Sequence, residues 1–313
     1  MRKLLTFLSV LFFITACDDG DVILVQLEFD DTFESCGDLV FFNIREEPVE
    51  SISLQIGSPN ISLEDLFETD VDPSNSLLVT LENPLVEGIV DGNNNLLNYR
   101  SYNTLTDNMF CNDVPPSNLG IIEDQYSNSG NFTINTELIE DDNDGIPAEM
   151  EDLNNNGDLF DDDTDGDGLP NFLDVDDDGD NVLTSTELID YNLDDNDDDP
   201  LTDPEDTDGD GIPNYLDADD DNDLVLTIDE ENLTQDENPA NDFTNPNFAD
   251  YLNDQVATTV AATAYRAHEI SQTFNVNVLV EDVSFQTLNQ DTFDFGLLED
   301  SRTTKTRNVT PDF

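Results

Sequence analysis

Asp163-Thr-Asp165-Gly-Asp167-Gly168-Leu-Pro-Asn171-Phe-Leu-Asp174 sets oxygen-bearing side chains at positions 1, 3, 5, 9 and 12 of a twelve-residue frame, with glycine at position 6. In such a frame alternate side chains turn inward, glycine takes the sharp turn and the position-7 carbonyl points at the centre, which is how a loop wraps one Ca2+. The frame returns 43 residues later as Asp206, Asp208, Asp210, Gly211, Asn214 and Asp217. Between the two lies a variant in the same register, Asp176, Asp178, Asp180, Asn181, Thr184 and Glu187, whose last residue can chelate through both oxygens. Its own copy, again at 43, is Asp219, Asp221, Asp223, Leu224, Thr227 and Glu230. Upstream, Glu140, Asp142, Asp144 and Glu151 form one more frame, and Asp152, Asn154, Asn156 and the shared Asp163 another. Three departures stand out. Leu224 is bulky at a turn where a positive φ suits Gly or Asn. Ala148 removes the position-9 ligand of the first frame, which a water could replace, and the degenerate frame Asp195 to Asp206 carries Pro200 at the turn.

From Glu140 to Glu231 the chain holds 38 acidic residues and no Lys or Arg. Two carboxylates about 4 Å apart repel by roughly 4 kcal/mol at an effective dielectric near 20, so frames that gather several acids stay open unless cations hold them. A solvated, disordered acidic tail is the bland alternative for a charge run. It does not account for a glycine phase and a 43-residue repeat that keep Pro, Leu and an aromatic in step. Mg2+ fits less well than Ca2+, because it wants a tight octahedron and gives up water reluctantly. The expected cofactor is therefore Ca2+, about five or six ions on the frames counted above.

Adjacent frames tile almost end to end instead of sitting between paired helices. In this the D-x-D-x-D-G-x-x-[DN]-x-x-D units resemble the thrombospondin type-3 calcium repeats. The resemblance covers roughly the middle third of the chain and implies an irregular, calcium-filled rod in place of a hydrophobic core.

Arg2 and Lys3 precede the apolar run Leu4 to Ile14, which has the length of a signal-peptide core and is too short for a membrane span. Ile14-Thr15-Ala16-Cys17 resembles a bacterial lipobox, implying cleavage before Cys17 and lipid on its thiol. Several acyl chains anchor stably where one does not. The acids Asp18, Asp19 and Asp21 resemble the surface-export signal of some Gram-negative lipoproteins, although Asp after the Cys marks inner-membrane retention in others. The expectation is a lipid anchor in the outer membrane, facing outward, where free calcium is plentiful. Cys36 and Cys111 then remain as a candidate disulfide in an exported chain, closing a loop of about 75 residues.

The flanks carry β-formers between turn signals. Val22–Phe29, Leu39–Ile44, Ser51–Ile56, Leu77–Leu81 and Asn131–Thr136 read as short strands, and Thr273–Val280 and Thr292–Leu297 as two more. The fold class expected is mainly β: a β-sandwich-like domain plus an irregular calcium-filled segment. The layout is signal peptide 1–16, lipidated acidic tether 17–21, β-domain 22–138, repeat segment 140–231, linker 232–256 and C-terminal β segment 257–313. The last piece is small for a core of its own, so it is expected to pack on 22–138; a separate small domain is the competing layout.

A net charge of −67 sets nucleic acid aside as a partner, since it repels a phosphate backbone. No zinc-type Cys/His spacing, phosphate-cradling glycine loop or serine-nucleophile elbow occurs. His268, the only histidine, reads as a surface or strand residue, and no catalytic residue is assigned. The sequence thus points to a calcium-binding, lipid-anchored surface protein with a structural or adhesive role toward an unnamed surface protein or glycan. A glycan- or substrate-capturing module, with Tyr99, Tyr102 and Tyr126 as stacking candidates, is the alternative; a hydrolase or folding helper in the β-domain ranks below both.

Overall fold

The computed structural model describes residues 27–37, 39–105, 109–112, 116, 119–188, 201–202, 204–286 and 290–313. The signal peptide, Cys17, the acidic tether and most of the degenerate frame at 195–206 lie outside the described residues. The protein is mainly β. Ten strands form one curled sheet in the order β6 (Leu85–Ile89), β9 (Asn131–Asp141), β10 (His268–Glu281), β11 (Phe293–Leu298), β1 (Thr32–Cys36), β2 (Val40–Arg45), β3 (Glu50–Gln55), β7 (Leu96–Tyr102), β8 (Ile121–Ser127), with β12 (Thr304–Val309) also on β10. A separate two-stranded ribbon pairs β4 (Thr69–Val71) with β5 (Val79–Leu81).

Strand β1 is the corner: it runs parallel to β11 on one edge and antiparallel to β2 on the other. Both halves of the sheet contribute to one core, with Phe41, Leu54 and Leu97 from one and Ile134, Phe274, Val278 and Phe295 from the other. Aromatic edges link the halves, Phe33 to Phe41 at 5.1 Å, Phe33 to Phe295 at 5.9 Å and Tyr99 to Phe285 at 6.5 Å between centroids. Close approach at the corner requires Gly296, whose φ is +80° and whose missing Cβ would run into the Asp31 carbonyl. The disulfide Cys36–Cys111 ties the end of β1 to residue 111, with Cα atoms 5.2 Å apart.

Strand β10 explains where the acidic segment sits. Its residues alternate strictly, with Ile270, Phe274, Val276, Val278 and Val280 inward, and it pairs antiparallel with β9 from Ser271↔Asp141 to Glu281↔Asn131. On its other edge β12 takes the first half and β11 the second. The chain therefore leaves the sheet after Asp141 and returns at His268 on the neighbouring strand, with the acidic frames in between.

The frames are not a bare rod. Leu169, Phe172 and Leu173, which fall at positions 7, 10 and 11 of their frame, bury against Ile270 of β10, flanked by Leu77 and by Val309 of β12. A second small cluster joins Val182 to Ala249 and Tyr251. Apolar residues that the frame spacing places away from the ligand positions thus fasten the segment to the sheet and to itself.

Candidate metal centres

Each frame folds as a turn held by its own aspartates. The position-1 carboxylate accepts from the backbone at the turn: Asp163 from Gly166 and Gly168, Asp206 from Gly209 and Gly211, and Asp176 from Asp180 and Asn181. In several frames positions 3 and 5 use one oxygen on the amide two residues on, as in Asp142 to Asp144 N and Asp144 to Ile146 N. Position 6 takes a left-handed φ throughout, at Gly145, Gly157, Gly168, Asn181, Gly211 and the exposed Leu224. So does position 4, at Asn143, Asn155, Gly166, Gly179, Gly209 and Asn222, which explains why only Asn or Gly stands there.

Several of these carboxylates keep an oxygen that is buried without a partner, and Asp178 keeps two. Oδ2 of Asp142, Asp144, Asp165, Asp180, Asp221 and Asp223 is buried and makes no hydrogen bond, as are both oxygens of Glu187 and of Glu230. An ionised carboxylate in that state is costly unless a cation meets it. Among the described residues, the groupings that bring ligand atoms within 4.8 Å of one another include Asp142/Asp144/Glu151, Asp163/Asp165/Asp167, Asp176/Asp178/Asp180, Asp180/Glu187/Asp220 and Asp206/Asp208/Asp210. The first, third and fourth are wholly buried, whereas the 206–210 group lies near the surface. Several acidic clusters could therefore hold metal ions, and the orphaned oxygens fit such a group.

Electrostatics tell the same story. Burial, then the neighbouring Asp144 and Glu151, pushes Asp142 up to about 9, and burial followed by Asp144 pushes Glu151 up to about 8. Burial raises Asp165 and Asp176 to about 7 and Asp220 to about 8. Asp178, Asp180 and Glu187 are driven well above the carboxylate range, by burial first and next by neighbouring acids, Asp176 for Asp178 and Asp178 for the other two. Positive charge is what would return them to the ionised state.

Some expected ligands are engaged elsewhere. Glu140 ends up on β9, where it accepts from Arg307 Nε at 2.6 Å and Gln272 Nε2 at 2.9 Å, so the first frame gathers Asp142, Asp144 and Glu151 without it. Position 9 clamps position 2. Asn171 accepts from Thr164 N and donates to Thr164 Oγ1, both at 2.9 Å, and Asn214 repeats this with Thr207. Thr184 and Thr227 accept from the amides of Asp177 and Asp220. In the second frame Asn154 and Asn156 donate to Asp161, while Asp152 accepts from Asn156 N and Gly157 N. Asp217 and Asp219 are half-buried beside the 219–230 frame, with the Asp219 amide on Asp217.

Two features lay beyond the frame spacing. Asp177 is 2% exposed with both oxygens unpartnered, and Asp220, at 1%, joins Asp180 and Glu187. The signal was the acidic triplets at 176–178 and 219–221, repeated at 43. Secondly, residues 232–256, expected as a linker, carry 3-10 turns at Pro239–Asn241 and Asp250–Leu252 and bury Asp242 and Asp250 completely. Asp250-Tyr-Leu-Asn253 follows the pattern of Asn171-Phe-Leu-Asp174 and Asn214-Tyr-Leu-Asp217, so the turn rhythm continues where the acid density falls away. His268 is a strand residue but not a surface one: its Nδ1 lies 2.8 Å from Asp174 Oδ1, in ion-pair range without an aligned hydrogen bond, and burial pushes the imidazole down. Of the three tyrosines, Tyr99 and Tyr102 are in the core and only Tyr126 is exposed.

A family model described as BamM C-terminal matches residues 141–197, the first half of the acidic segment. No thrombospondin-type repeat family is shown by the match. No curated protein and no solved structure matches the chain significantly.

Proposed function

We propose that this chain is a lipid-anchored outer-membrane protein whose acidic frames bind several Ca2+ ions and so stiffen a lobe carried between two strands of a curled β-sheet. The observation that carries the calcium reading is the set of buried, unpartnered carboxylate oxygens at Asp142, Asp144, Asp180, Glu187 and Glu230. Ca2+ suits them better than Mg2+ because a carboxylate-rich loop with Glu at its end tolerates six to eight oxygens in irregular geometry. When bound, the cation would supply the charge that lets these carboxylates ionise without repelling one another.

The family match hints at an outer-membrane-associated role and at membrane-associated or BAM-complex-type partners. The lipobox-like Ile14-Thr15-Ala16-Cys17 supports a lipid anchor, and outward exposure follows from where calcium is available. Our reading is structural or adhesive and includes no catalytic step. Glycan capture through stacked tyrosines has less support than before, with two of three candidates in the core.

The test is a titration of the full chain with Ca2+, following heat, hydrodynamic radius and protease resistance. We expect several ions at roughly 10⁻⁴ to 10⁻³ M, the range of extracellular modules, and compaction that a chelator reverses. Absence of saturable heat together with an unchanged radius would sink the calcium reading. Labelled fatty acid incorporated by the unmodified chain, and not by Cys17→Ala, checks the anchor.

A further inference from the structure

Asp177 and Asp220 occupy position 2 of their frames, where the alternation that turns positions 1, 3 and 5 inward turns a side chain away from its own loop. Neither is thereby released to solvent. A carboxylate oxygen of Asp220 lies within 4.8 Å of ligand atoms of both Asp180 and Glu187, which belong to an earlier frame. Asp220 Oδ2 accepts from Thr227 Oγ1 at 2.9 Å, which fixes the carboxylate, while Oδ1 is buried without a partner. Asp177 has both oxygens buried and unpartnered and lines the same cavity of about 200 Å³ as Glu151, together with Ile146 and Tyr215. The two cases share one construction. A threonine at position 9, Thr184 or Thr227, holds the position-2 amide, and the position-2 carboxylate reaches back to a Glu-ended frame. Where position 9 is Asn instead, position 2 is Thr and no acid is offered.

Resting on the calcium reading above, we infer that Asp220 is a ligand of the cation site of the frame Asp176–Glu187 and not of its own frame, and that Asp177 serves the frame Glu140–Glu151 in the same way. Each enclosed site is then a staple between parts of the chain far apart in sequence: 33 residues separate Glu187 from Asp220, and 26 separate Glu151 from Asp177. The cation would close long segments onto each other instead of ordering single loops.

Additivity of ligand deletions decides the matter. The full chain, disulfide intact, is titrated calorimetrically with Ca2+ as Asp220→Asn, Glu187→Gln, Glu230→Gln and the two doubles containing Asp220→Asn. One site should weaken at least tenfold in D220N and the same site in E187Q. Their double should be no more than about twofold worse than the poorer single, whereas D220N with E230Q should weaken two sites. The reverse pattern, with D220N merging into E230Q and adding to E187Q, overturns the assignment while leaving the calcium reading intact. An unmodified chain that takes up no Ca2+ defeats that reading and this one together. Should D220N fail to keep its β-signal by circular dichroism in chelator, Asp220→Ser, which can still accept from Thr227, replaces it in the same cycle.

Discussion

Glu187→Gln separates a cation ligand from an ordinary buried acid. The side chain is 2% exposed, neither oxygen makes a hydrogen bond, and its ligand atom lies within 4.8 Å of those of Asp180 and Asp220. At that separation or less each ionised pair repels by about 3.5 kcal/mol or more at an effective dielectric near 20, so two fully ionised pairs amount to at least about 7 kcal/mol. Proton uptake by the raised carboxyls already removes much of this at neutral pH, leaving an expected gain of about 1 to 3 kcal/mol for the metal-free protein. With Ca2+ the sign reverses. Losing an anionic, bidentate ligand should cost at least tenfold in affinity at that site, about 1.4 kcal/mol. The assay is thermal unfolding of both proteins in chelator and in millimolar Ca2+: the variant should melt above the unmodified chain in the first and below it in the second. A variant that melts lower by the same amount in both conditions refutes the reasoning, because Glu187 would then serve packing alone.

Acidity provides a second handle. Asp142, Glu151 and Asp220 have folded pKa values raised to about 9, 8 and 8, far above those of free carboxyls, so their contribution is fully present below about pH 4, falls progressively as pH rises and is gone above about pH 9. Metal-free protein should accordingly melt lower at pH 9 than at pH 5, and Ca2+ should remove or invert that slope; a metal-free melting temperature that climbs over the same interval contradicts it. Replacing both Cys36 and Cys111 by Ser opens a loop of 75 residues and should cost about 4 kcal/mol on the chain-entropy model, read as a shift in denaturant midpoint. Leu173→Ala removes a 1% exposed side chain from the cluster that fastens the frames to β10 and should cost about 2 to 4 kcal/mol, with earlier proteolysis in the acidic segment than in the sheet. Equal protection of both regions in that variant would mean that the cluster does not fasten them.

How legible this was in the sequence varies with the source of the signal. Mainly-β character was plain in β10, where alternation over Thr273–Val280 is what one buried face requires; the strand proves longer at both ends. Six strands, β1, β4, β6, β7, β8 and β12, escaped notice, and β6, β8 and β12 did so for a shared reason. These three lie at edges or on a polar flank and bury few side chains, as Ile121 and Ile122 of β8 and the Thr-Lys-Thr-Arg run of β12 illustrate. In the frames, the grouping of the acids at positions 3 and 5 was legible because its geometry is local. The position-9 bonds were not: Asn171 and Thr184 bond to position 2 of their own loops, a contact that ligand spacing does not announce. Asp177 and Asp220 could not be assigned from spacing, since what places them beside Glu151 and Glu187 is the folding of distant frames together.

Two of the chain's scarce cations are placed where frames and sheet meet. Of eight Lys and Arg residues in the whole sequence, Arg307 on β12 holds Glu140 at the end of β9, and Arg266 donates to the Asn181 carbonyl at the turn of a Glu-ended frame. His268, the first residue of β10, adds its contact with Asp174. These three reach the first frame and the two that meet at Asp174 to Asp176, Arg307 and His268 from adjacent strands and Arg266 from the chain just before β10. A carboxylate cluster left without a cation would therefore act on β9, β10 and β12 at their shared end, while Phe274 and Val278 hold β10 in the core further along. Repulsion in an unneutralised frame would be felt where the acidic segment enters and leaves the sheet. On the proposed function, loading of the frames would thus be coupled by geometry to the pairing of β9 with β10, and a segment with no large core of its own would share the stability of the sheet.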